Sequence, residues 1–199
     1  VNEKQSTLFP GTPKTSPTLN VLRNLDRSEI EPLAFKILAE IEPFCEKAQI
    51  AGSIRRLKTT INDIDIVVQP KPDSWLQIIK EIRHEFNTVT EKQGDKLATL
   101  LIPFCSKQGH GHVQLDIYRA SQSTWGILLL VRTGSAEHNV YLCNLALAKG
   151  LRLQYSQGLV DSKGNVIAGK TEEDVFEALG LPFILPQNRE VKSKEEPKR

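Results

Sequence analysis

Residues 51–70, AGSIRRLKTTINDIDIVVQP, decide how this chain is read. A Gly-Ser turn (Gly52, Ser53) precedes two arginines, and Asp63 and Asp65 then alternate with Ile64 and Ile66. The period of two predicts a strand over DIDIVVQ. Alternation sends both carboxylates to one face, with Cα atoms roughly 6.5–7 Å apart. Like charges that close repel unless something cationic lies between them. Divalent metal resolves the conflict, and paired ions ~3.5–4 Å apart suit an in-line phosphoryl displacement.

A third carboxylate, Asp116, sits in HVQLDIYRA, where Val113, Leu115 and Ile117 alternate with Gln114, Asp116 and Tyr118. Oxygen-only ligands favour two Mg²⁺ (or Mn²⁺) ions over zinc. For the acidic pair alone, a solvated sheet face is a competing account. The flanking residues weigh against it: Gly52 and Ser53 offer backbone N–H groups and a hydroxyl for phosphate. Arg56 adds bidentate contacts to phosphate oxygens.

The 199 residues suffice for an ordinary domain with a small second lobe. No apolar run approaches the ~20 residues a bilayer needs, so no membrane partner is expected. No secretory signal is visible. Cys45, Cys105 and Cys143 are odd in number and far apart, with neither zinc nor disulfide spacing. A reducing cytosol is therefore the default compartment, with nucleoid or nucleus as its variants. A formal net charge of +2 argues neither for nor against nucleic acid. The chain holds no methionine and begins at Val1, so upstream domains stay open.

Residues 1–20 are rich in Pro, Ser and Thr and read as a flexible arm; residues 191–199 read as a charged tail. Ser28 and Glu31 resemble a capping box opening a helix through Ala34, Ile37, Leu38, Ile41 and Cys45, which Pro43 shortens or kinks. AQIAGS is expected as a strand, and a helix capped by Asp73 or Ser74 runs from Trp75 to Phe86. Strands NTVTEKQ and KLATLLIPF turn around Gly94-Asp95, and GILLLV is expected as another strand. Ser135 caps a helix running to Lys149 and stopped by Gly150. Short strands near LRLQYSQGLV and GNVIAG follow, and Thr171 and Asp174 open a last helix. The reading is α/β (α+β): a lobe built on a mixed sheet, then a smaller α/β unit, divided near residue 130.

GSIRR…NDIDIVV resembles the signature of the nucleotidyltransferase superfamily. TGSAEHNVYLCNLALAKGLRL and GLVDSKGNVIAGKTEEDVFEALGLPFILPQNRE resemble the end of the palm and the thumb of family X DNA polymerases. The resemblance covers roughly residues 33–190. It implies a palm over residues 21–130, with mixed sheet and helices on one face, and a thumb over 131–190. It implies that Asp63 and Asp65 bridge both metals and that Asp116 binds the ion activating a primer 3′-hydroxyl. Gly52, Ser53 and Arg56 would hold the β and γ phosphates of a deoxynucleoside triphosphate. Thr133, Gly134 and Ser135 would form the bend beneath its sugar, and Asn139 would reach its base. The implied activity is DNA polymerase in short gap filling, repair or end processing on DNA primer/template or DNA ends. Alternatives are a template-independent terminal nucleotidyltransferase and a non-catalytic DNA-end-binding scaffold.

Leu57 and Asn62 stand where the family usually has glycine, Val131-Arg132 where an aromatic pair crowds the sugar, and Cys143 where many members carry arginine. Val131-Arg132 is expected to relax rejection of ribonucleotides. Nothing matches the family's lyase or helix-hairpin-helix elements. No lyase activity, low processivity and salt-sensitive DNA binding are therefore expected, with an accessory protein as one source of DNA grip. Lys149, Arg152, Lys163 and Lys170 would track a DNA backbone, a solvated basic face being the alternative. His110 and His112 read as a polar hairpin lip, and Trp125 as core or junction packing. His138 is divided between nucleotide contact and helix capping.

Overall fold

The computed structural model describes residues 19–190. The expected tail and all but the end of the expected arm lie outside them. In chain order the elements are β1 (Leu25–Asp26), α1 (Arg27–Ile41), β2 (Cys45–Ile50), α2 (Gly52–Arg55), β3 (Thr60–Ile61) and β4 (Asp63–Pro70). Next come α3 (Trp75–Phe86), β5 (Val89–Gln93), β6 (Leu97–Ser106), β7 (Gly109–Arg119), α4 (Trp125–Thr133) and α5 (Ala136–Ala148). The chain continues with β8 (Arg152–Gln154), β9 (Gly158–Val160), β10 (Val166–Ala168) and α6 (Glu172–Ala178). Among the described residues no helix is long and apolar enough to cross a membrane.

The main sheet is mixed, in the order β2-β4-β7-β6-β5; β4 and β7 run parallel and the other neighbours antiparallel. Its strands bury alternate residues on opposite sides. On one side Ile64, Ile66, Leu115, Ile117, Ala98 and Leu100 pack with Ile30, Ile37 and Ile41 of α1 and Ile78, Ile79 and Ile82 of α3. On the other, Val67, Tyr118 and Ala120 meet Trp125, Leu128 and Leu129 of α4. The carboxylates belong to this second side.

α4 also serves the smaller unit. Its Ile127 and Leu130 join Leu142 and Ala146 of α5, Leu159 of β9, Val175 and Phe176 of α6 and Leu179 just beyond it around a separate core. Beneath these lies the three-stranded antiparallel sheet β10-β9-β8. A helix buried on two sides carries no polar stripe. This explains why GILLLV, expected as a strand, is helical: six apolar residues without periodicity fit either element. Where α4 approaches α6 a glycine is required, since a Cβ on Gly126 would stand 2.1 Å from the Thr171 carbonyl carbon.

Other expectations are corrected locally. Asp26, not Ser28, caps α1: its Oδ1 accepts from the Ser28 amide at 2.8 Å, and Arg27 engages Glu31 instead. A carboxylate is the stronger cap because it also complements the positive helix end. Cys45 opens β2 rather than closing α1, because Pro43 sits in a 3₁₀ turn, Glu42–Phe44, that ends the helix. Ser135 at the start of α5 and a capping box between Thr171 and Asp174 fall as expected, whereas Ser74 at the start of α3 makes no side-chain cap bond, its hydroxyl donating to the Pro72 carbonyl instead.

Candidate active site

β4 and β7 bring the three aspartates onto one side of the sheet. Asp65 is the register partner of Asp116, and Asp63 that of Gln114. Parallel neighbours stand about 4.8 Å apart, so the three backbones already converge before any side-chain motion. The charges feel one another. Burial pushes the Asp65 carboxyl up to about 7, with Asp63 and Asp116 adding to the rise. Asp63 is raised too, by burial and then by Asp116, while Arg23 and Arg56 pull it back. Asp116 is the carboxylate held by protein partners. Asp116 accepts from Thr99 at 2.7 Å and from Gln114 at 3.0 Å, with the Tyr118 hydroxyl 3.4 Å away. Among the described residues no three His, Cys, Asp or Glu side chains stand ready-formed as a metal cluster.

The turn at Gly52 completes the floor. Gly52 has φ +58°, and a Cβ there would lie 2.0 Å from Asp65 Oδ2. Only glycine permits both the backbone and the carboxylate beside it. Ser53 presents a buried hydroxyl with no hydrogen-bond partner. Such groups are uncommon, because leaving one unsatisfied costs about 1–3 kcal/mol. An orphaned hydroxyl beside hard oxygen donors fits a phosphate and a divalent cation in donor type.

The first matching relative is DNA polymerase lambda of Rattus norvegicus, 31% identical over 160 residues that span 70% of this chain and 28% of that protein. DNA polymerase/3'-5' exonuclease PolX of Bacillus subtilis (strain 168) is 25% identical over 165 residues, covering 79% of this chain and 28% of that protein. The family model described as DNA polymerase beta thumb matches residues 128–190. The chain is a family X polymerase-like protein. It spans under a third of the length of these relatives.

In this polymerase-like chain the bend Thr133-Gly134-Ser135 is tied to both arginines of the turn. Arg55 donates to Thr133 Oγ1 at 2.7 Å, and Arg56 donates to the Thr133 carbonyl. Arg56 is not free: its Nε donates to Glu190 at 2.5 Å, and Lys58 joins the same carboxylate at 2.9 Å. Ser135 Oγ caps α5 and donates to the Arg189 carbonyl at 2.9 Å. Asn139 spends its amide on the Val131 carbonyl at 2.8 Å, leaving its buried Oδ1 without a partner. His138, divided between two expected roles, is 4% exposed and lies against Phe176. Burial, then the neighbouring Arg189, pushes its imidazole down to about 4. Trp125 is buried at the junction of the two units. Lys149, Arg152, Lys163 and Lys170 are all exposed.

The pairings of several site residues carried no signal in the sequence. Arg55 pairs with Glu172 through two hydrogen bonds, 2.9 and 2.6 Å, and Arg189 reaches the same carboxylate at 2.6 Å. Burial alone would raise the Glu172 carboxyl; the two arginines outweigh it and hold it below its usual range. Arg132 stacks 4.1 Å from the Tyr118 ring centroid and lies 5.7 Å from that of Tyr155. The alternation that exposed Asp116 also placed Gln114 and Tyr118 on its side of β7, which is the signal that could have found them.

Proposed function

We propose that this chain transfers a nucleotidyl group from a deoxynucleoside triphosphate to a DNA 3′-hydroxyl. The palm would span residues 21–130 and the thumb 131–190. The observation that carries this is the register of Asp65 with Asp116 on parallel strands, beside Asp63 and a Gly52-Ser53 turn with an unpartnered hydroxyl. The attacking oxygen would form a bond to the α-phosphorus as the α–β bridge bond breaks and pyrophosphate leaves.

Asp63 and Asp65 would hold both Mg²⁺ (or Mn²⁺) ions, and Asp116 the one nearer the 3′-hydroxyl. Divalent cations, when bound, supply the charge that makes that hydroxyl nucleophilic and the leaving group stable. The chain's own work is positioning. Ser53 Oγ and the Gly52-Ser53 backbone would donate to the outer phosphates, with Arg56 exchanging Glu190 for phosphate oxygens. The Thr133-Gly134-Ser135 bend would support the sugar, and Asn139 the base. Lys149, Arg152, Lys163 and Lys170 would follow the DNA backbone. The relatives' names support polymerase activity on DNA, and a place in short gap filling or repair goes beyond them.

The test offers labelled single-stranded, primer-template and one-nucleotide-gap DNA with Mg²⁺ or Mn²⁺ and single deoxy- or ribonucleotides. Extension dictated by the template base is the expected result. Untemplated extension would favour terminal transfer. Asp116→Ala should lower extension by at least a hundredfold while DNA binding persists; unchanged extension would remove that residue from the chemistry.

A further inference from the structure

Asp116 is the most firmly held of the three carboxylates, and its holders come from three separate parts of the chain. Thr99 on β6, its register partner, donates Oγ1 to Oδ1 at 2.7 Å. Gln114, two residues back on the same side of β7, donates Nε2 to Oδ2 at 3.0 Å. Gln114 is itself oriented: its Oε1 accepts from Arg23 Nη2 at 2.9 Å, which fixes which end of the amide faces the carboxylate. Arg23 is fixed in turn, donating Nη1 to the Asn62 carbonyl at 3.2 Å, one residue before Asp63.

Arg23 arrives there for a structural reason. β4 begins at Asp63, opposite Gln114, so β7 has no β4 partner before that point. Asn20, Val21 and Leu22 fill the place: Val21 bridges His112 in parallel, with amide–carbonyl bonds of 2.8 Å on either side. The segment then carries Arg23 across the end of β4. Close approach is allowed because residue 111 is glycine; a Cβ there would stand 2.8 Å from the Asn20 carbonyl oxygen.

We propose that Thr99, Gln114 and Arg23 form a clamp that presets the Asp116 carboxylate for a divalent cation. The inference rests on the function proposed above and adds positioning residues to it. A carboxylate oxygen has two lone-pair directions. Oδ2 takes Gln114 and, at 3.4 Å, the Tyr118 hydroxyl, whereas Oδ1 takes Thr99 alone and keeps a direction for an ion, so the carboxylate need not be ordered when the ion arrives. Removing such supporting hydrogen bonds from a metal ligand typically weakens metal binding ~10–100-fold. Arg23 adds a cation that lowers the cost of Asp63 and Asp116 lying together. It is exposed, so its share is the smallest and the most sensitive to salt.

The experiment titrates Mn²⁺ into the protein without nucleotide or DNA and measures free Mn²⁺ by electron paramagnetic resonance, with a thermal melt on each variant. Asp116→Ala sets the scale. Thr99→Val and Gln114→Leu should each raise the Mn²⁺ dissociation constant about tenfold, and Arg23→Ala two- to threefold at low salt. Thr99→Ser keeps the donor and should bind as wild type, separating the hydrogen bond from packing. Wild-type affinity in both Thr99→Val and Gln114→Leu, with Asp116→Ala weakened, overturns the clamp and leaves the proposed function standing. Equal binding by wild type and Asp116→Ala overturns both. A Thr99→Ser protein as weak as Thr99→Val overturns the assignment of Thr99.

Discussion

Arg56 donates to Glu190 and to the Thr133 carbonyl, while Ser53 beside it keeps a buried hydroxyl with no partner. A carboxylate and a phosphate oxygen make the same demand on a guanidinium. Under the proposed function, Glu190 would therefore compete with the outer phosphates of a nucleotide. The pair is partly exposed, at 14% and 33% for its two side chains, so it is worth only about 0.2–1 kcal/mol. Glu190→Ala should then lower the nucleotide KM by up to about fivefold with kcat unchanged. Steady-state extension at fixed DNA measures this, and an unchanged or higher KM would show that Arg56 does not reach the nucleotide.

α4 joins the two units by lending one side to each core, and its contact with the start of α6 leaves no room for a side chain at Gly126. Alanine in a helix is ordinarily better than glycine by about 1 kcal/mol. Here the added methyl meets backbone, which cannot rotate away, and overpacking of that kind costs about 1–3 kcal/mol. Gly126→Ala is expected to lose stability despite the propensity gain. Urea unfolding measures the balance: a raised midpoint would mean that α4 and α6 separate freely. Near the same contact, Glu172 of α6 accepts from Arg55 of α2 and from Arg189, so buried charge as well as packing fixes where the smaller unit sits.

Acid should act on the folded chain through opposing groups. His138 is neutral when folded, with its imidazole pushed down to about 4 by burial and by Arg189. Between about 6.5 and 4 the unfolded chain binds the extra proton, so this contribution is complete above 6.5 and lost as pH falls. Asp65, raised to about 7, acts with the opposite sign over an overlapping range, since the folded chain takes its proton first. A comparison of variants separates them. His138→Phe keeps an aromatic ring against Phe176 and removes the titration. The stability of wild type relative to that variant should decline by up to roughly 3 kcal/mol from pH 7 to 4. Urea midpoints across that range measure it, and a difference independent of pH would place a solvated imidazole at 138.

Alternation in DIDIVVQ and HVQLDIYRA was enough to place Asp63, Asp65 and Asp116 on strands and on the polar side, because a side chain's direction in a strand is a local property. Ser135, Thr171 and Asp174 likewise announced their helix starts through bonds spanning three residues. GILLLV could not declare itself, since its helical form depends on two cores that exist only after the chain has closed around it. The same holds for the partners of the carboxylates. Arg23, Thr99 and Gln114 come from a leading segment, a hairpin arm and a parallel strand, and their pairings span from 2 to 91 positions. Period and capping act over one turn or one pleat and can be read from a line of residues; a hydrogen bond between distant segments is decided by register and packing, which exist only in three dimensions.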